Sequence, residues 1–149
     1  MTCSKGALTR ALDWVMIVII ASVGVLVFPL FAAWFGAIYL RFAAFAPKSI
    51  WVNLAFCETL PSVLWGVVLG ACAAGILRHR SVLMAILPSI IVCVFNIVYE
   101  YVIPAPYLSL KRWSWINGVF IGNWLSIVLV SFVSARFVLH KRRNGVVPT

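Results

Sequence analysis

Four apolar runs, at residues 14–40, 50–77, 81–103 and 115–139, limit what this chain can fold into. A bilayer's hydrocarbon core is about 30 Å thick, and a helix rising 1.5 Å per residue needs about 20 residues to cross it. Each run is at least that long. In hydrocarbon every backbone N–H and C=O must be paired within the protein, and for isolated apolar runs only helices achieve this. The runs therefore predict an all-α integral membrane protein, a four-helix transmembrane bundle with short loops. The spans use most of the 149 residues. No folded extramembrane domain is expected, and residues 1–149 read as one transmembrane domain.

Composition removes the soluble alternative. Charged residues make up 10% of the chain and hydrophobic ones 64%, against about 25% charged in soluble domains. The net charge is +9, from 12 Lys and Arg and three acids. In a soluble protein that balance would point to nucleic acid. Here the basic residues cluster at the ends of apolar runs, where they meet anionic headgroups. The expected partner is the lipid bilayer, not nucleic acid.

Those clusters also set orientation. One side carries Lys5, Arg10, Arg78, Arg80, Arg136, Lys141, Arg142 and Arg143; the other carries Arg41, Lys48, Lys111 and Arg112. The positive-inside rule then puts both termini in the cytoplasm, as a multi-pass protein of a bacterial-type cytoplasmic membrane. The first run is nearly twice the length of a secretory signal core, about 7–15 residues, so it reads as a retained span. Trp14 and Trp34 are spaced to mark its two interfaces, with Pro47 closing the helix.

The second run carries Glu58 within it. A carboxylate at membrane depth costs about 3 kcal/mol on insertion scales, so it is expected to face protein or water. The third run carries Asn96 and Glu100 at similar depth, both near the external surface. At 100° per residue, Ala85, Ser89, Cys93, Asn96 and Glu100 share one narrow face of the third helix. Glu58, Ser62, Gly66 and Ala73 share one face of the second by the same arithmetic. The expected polar pocket comprises Glu58, Asn96, Glu100, Asn53, Ser62, Ser89 and Asn123, between these two stripes or shared with the fourth span. Its groups either hold the bundle together, at about 0.6 kcal/mol per interhelical hydrogen bond, or bind an ion, a proton or a partner segment.

Two strips of small residues, Gly66-xxx-Gly70 and Gly118-xxx-Gly122, predict close helix packing. Pro61, one turn beyond Glu58, predicts a kink. Cys3, Cys57, Cys72 and Cys93 form no CxxC pair and read as small packing residues, so no disulfide framework or metal is expected. His79 and His140 have no convergent acid or thiol, and Asp13 reads as balancing Arg10 or starting a helix. No cofactor or catalytic constellation is expected.

The format, four spans without extramembrane domains, is shared by small transporters, immunity proteins and accessory subunits, with no motif behind it. The expected function is non-enzymatic: an accessory, partner-binding or immunity-type protein acting through intramembrane helix contacts. Its partner would be a second copy or another membrane protein. The alternative is a small cation- or proton-coupled transporter or channel using the outer acidic pocket.

Overall fold

The computed structural model describes residues 3–42, 52, 55–77, 81–101 and 115–145. The regular structure among them is entirely helical. Helix α1 is Cys3–Phe42; a π-helical turn, Ala55–Thr59, leads into α2, Leu60–Ile76; α3 is Val82–Tyr101 and α4 is Trp115–Arg143. All four, counting the π turn with α2, are long and apolar enough to cross a membrane.

The first helix starts earlier than the apolar run. The segment expected to precede the helix, residues 3–13, is its first three turns. Ala7, Leu8, Ala11 and Leu12 are strong helix formers with no proline among them, which is enough to carry the helix back from the run. At the other end α1 passes both Trp34 and Tyr39 and continues through Pro29. The missing N–H of Pro29 leaves the Val25 carbonyl without its usual i+4 donor. Asp13 is therefore not at a helix start. It sits well inside α1 with 2% of its surface exposed.

Neighbouring residues give the directions of the helices. Phe28 and Phe31 pack on Trp65, and Tyr39 on Phe56, so α1 and α2 are antiparallel. Gly66 lies against Ile127 and Val130, Gly70 against Ser131, and Ala74 against Arg142, so α2 and α4 run parallel. Ser89 meets Ser131 while Val82 lies by Leu139, so α3 and α4 are antiparallel. The directions alternate, and the start of α1 and the end of α4 lie at one end of the bundle.

The packing is uneven. The α2–α4 interface is the most extensive, followed by α3–α4 and α1–α3. Of the four spans, that of α2 is 44% buried and the others 28%, which makes α2 the central helix. The core runs from Ile17 through Leu69, Ala73, Val92 and Ile127 to Leu139. Large apolar side chains also point outward on every helix, among them Leu26, Val68, Leu83 and Leu129.

Candidate functional site

The second span is built around a change of helix type. Residues Ala55–Thr59 form a π turn, and the α-helix begins at Leu60 with Pro61 in its first turn. Proline donates no N–H and clashes with the carbonyl four residues back in an α-helix. Placing it just after a widened turn removes both problems, so the expected kink takes this form. Ser62 Oγ donates to the Glu58 carbonyl at 2.7 Å, tying the π turn to α2. Glu58 itself is half-buried.

Below this turn lies a polar seam between α2, α3 and α4. Ser89 Oγ and Ser131 Oγ are 2.6 Å apart, and Ser131 Oγ donates to the Gly66 carbonyl at 2.7 Å. A hydroxyl has one hydrogen to give. Ser131 spends its hydrogen on Gly66, so Ser89 donates to Ser131. The three residues are buried. Helix α4 reaches the Gly66 carbonyl because a glycine faces it. A Cβ at Gly66 would come within 2.8 Å of the Ile127 carbonyl oxygen, and one at Gly70 would overlap the Ser131 backbone. The first small-residue strip is thus a packing strip, closed by α4 of the same chain.

Above the serine bridge, away from the end bearing the start of α1, further polar groups gather. Asn96 is seven residues along α3 from Ser89, Asn123 eight along α4 from Ser131, and Thr59 seven along from Gly66. At 1.5 Å per residue all three stand about 10 to 12 Å from the bridge. Thr59 Oγ1 donates to Asn123 Oδ1 at 3.0 Å. Among the described residues, the amide nitrogens of Asn96 and Asn123 are buried without a hydrogen-bond partner, as is the indole nitrogen of Trp65. Trp65 packs on Phe28 and Phe31 with ring centroids 6.2 and 5.3 Å away. The two amide N–H groups thus have no acceptor among the described residues, and the half-buried Glu58 adjoins Thr59 in the chain.

Of the expected pocket residues, Ser89, Asn96 and Asn123 are brought to the seam, and Glu58 and Ser62 to its upper edge. Ser62 turns its hydroxyl to its own helix. Asn53 and the side chain of Glu100 lie outside the described residues. So do the surroundings of Gly118, along with Arg78, His79 and Arg80, Lys48, Lys111 and Arg112. Gly122 is the contrast to Gly66 and Gly70: among the described residues, a Cβ there would meet no atom within 4 Å.

Ser131 and Thr59 are seam residues that the sequence did not single out. A signal for Ser131 was present, because Asn123, Ile127, Ser131 and Ala135 recur every four residues and are all buried. Nothing comparable marked Thr59 or Asp13.

Among the described residues, Cys57, Cys72 and Cys93 are in no disulfide, and no three His, Cys, Asp or Glu side chains are grouped to hold a metal ion. At the end bearing the start of α1, Arg142 Nη1 donates to the carbonyls of Ala74, Gly75 and Leu77 at 2.6, 3.2 and 3.3 Å, closing the C-terminus of α2. No family model, curated protein or solved structure matches the chain, so its role is argued from its own geometry.

Proposed function

We propose that this chain is a non-enzymatic, multi-pass protein of a bacterial-type cytoplasmic membrane that works by binding another membrane-embedded helix. Four helices of spanning length support the membrane placement. The outward face agrees with it: Leu26, Leu30 and Leu83 are each more than 70% exposed, which hydrocarbon tolerates and water does not. Alternating helix directions support both termini on one side. Arg10, Arg136, Lys141, Arg142 and Arg143 lie at that end, against Arg41 at the other, which favours a cytoplasmic assignment.

The observation that carries the binding reading is the contrast between the glycines. Gly66 and Gly70 are filled by α4, whereas Gly122 faces open space. Gly122, Leu125 and Leu129 recur at three- and four-residue steps on the exposed side of α4. Small residues there let a second backbone approach, and the leucines beyond would pack on it. The partner is a second copy or another membrane protein. Leu129→Cys, oxidised in native membranes, distinguishes them by the mass of the cross-linked product. Gly122→Leu should abolish that product. A cross-link that survives Gly122→Leu, or none in the parent, removes this reading.

The seam supports a second reading, a small transporter or channel coupled to a proton or cation. Buried N–H groups without a protein acceptor are where internal water enters, and a wetted carboxylate at Glu58 is what proton carriage requires. Flux through reconstituted vesicles should then fail in Glu58→Gln; undiminished flux removes Glu58 from any such path.

A further inference from the structure

A groove of about 590 Å³ lies between the start of α3 and the last turns of α4. That is within the range of about 300 to 1,000 Å³ that ligand sites occupy. Its wall is apolar, with Phe132 and Phe137 along α4 and Val82 opening α3. Arg136, His140 and Arg143 line it as well. We propose that this groove holds an anionic phospholipid of the cytoplasmic leaflet, acyl chain along the phenylalanines and phosphate among the basic groups. This rests on the membrane placement proposed above.

Three observations point to that occupant. First, the cations at this end are not equivalent. Arg142 is committed to the α2 carbonyls, and Lys141 lies 4.6 Å over the Phe137 ring. His140 Nε2 sits 3.1 Å from the Asn144 amide nitrogen. Arg136 and Arg143 make no hydrogen bond or ion pair with any described residue. Two guanidinium groups are thus left to meet a phosphate, for which their planar forks are suited.

Second, α3 begins in the groove. Val82, Leu83 and Met84 open the helix, where N–H groups have no intrahelical carbonyl to bond; among the described residues Ala85 N–H is the first of α3 to find one, at Ser81. A helix start of this kind favours an anion and adds to the arginines. Third, the polar and apolar parts are ordered along α4. Phe132 and Val133 precede Arg136 by about one turn and Arg143 by about three, so the deep end of the groove is apolar, while Phe137 and Leu139 lie among the cations nearer the surface. A free phosphate would use only the second part; a phospholipid uses both.

The test uses the full chain in vesicles of equal phosphatidylglycerol and phosphatidylcholine, purified in mild detergent with the retained lipid quantified. Alkaline carbonate extraction comes first. A chain released by carbonate overturns the membrane placement, and the groove's occupant with it. For a chain that stays, phosphatidylglycerol should be enriched about tenfold, the order expected of two cations near an anionic headgroup. The double variant Arg136→Gln/Arg143→Gln should lose that enrichment while keeping its helical circular dichroism. Val133→Trp, which obstructs the groove without touching a charge, should lose it too. Lys5→Gln/Arg10→Gln, at the same end on α1, should keep it. Equal retention of the two lipids by the parent overturns the proposal. So does enrichment that survives either groove variant, or an equal loss in the α1 variant, which would mean diffuse surface charge.

Discussion

Ser89 and Ser131 hold their hydroxyl oxygens 2.6 Å apart across α3 and α4, and Ser131 passes the contact on to the Gly66 carbonyl of α2. One hydrogen-bond chain thus links three helices at the middle of the bundle.

That link should appear as coupling. Ser89→Ala and Ser131→Ala, singly and together, form a double-mutant cycle in detergent or bicelles. The interaction energy is expected at about 0.6 to 1.7 kcal/mol, the average and upper end for interhelical hydrogen bonds in membrane proteins. Strictly additive losses would mean that the two hydroxyls do not act on each other.

The glycines should divide by position. Gly70→Ala forces a methyl group into the Ser131 backbone, and overpacking of this kind costs about 1 to 3 kcal/mol. Gly122→Ala meets open space and should be neutral or stabilising by up to about 1 kcal/mol, from helix propensity alone. Thermal unfolding of the two variants side by side checks this, and a larger loss at Gly122 would contradict the packing.

The cap on α2 predicts a graded series. Arg142→Gln removes a charged donor from three carbonyls. In this partly exposed setting a loss of about 1 kcal/mol is expected. Arg142→Lys keeps the charge but loses the fork and should fall between the two. Amide exchange at Leu77, whose N–H bonds to Ala73, should quicken in the same order.

The Asn96 amide gives a sharper test. Asn96→Leu replaces a buried N–H group, unpaired among the described residues, by apolar atoms of similar shape. If the seam is dry, the variant should be neutral or raise stability, because an unsatisfied buried donor costs about 1 to 3 kcal/mol. If water or cargo occupies the seam, it should lose stability instead. The unfolding midpoint decides between these.

How far the sequence reached varies from helix to helix. The α3 stripe was legible because Ala85, Ser89 and Cys93 repeat at helical spacing, and all three are buried. Gly66 and Gly70 were legible as a close-packing strip, but their neighbour was not. Small residues announce that a backbone approaches without saying which one, and α4 of the same chain takes the place. The π turn left only an indirect trace in Pro61, since a proline can be accommodated by a kink, a break or a widened turn. Asp13 was not legible as a mid-helix residue, because the helix that carries it begins ten residues earlier and no apolar periodicity marks that start.

The parallel course of α2 and α4 bears on how the protein is made. The glycine strip of α2 emerges from the ribosome with α2, but the helix that covers it is synthesised only after α3. Until Ile127 and Ser131 arrive, Gly66 and Gly70 lie bare. A chain stalled or cut after α3 therefore displays a close-packing surface to its neighbours, and completion of α4 masks it.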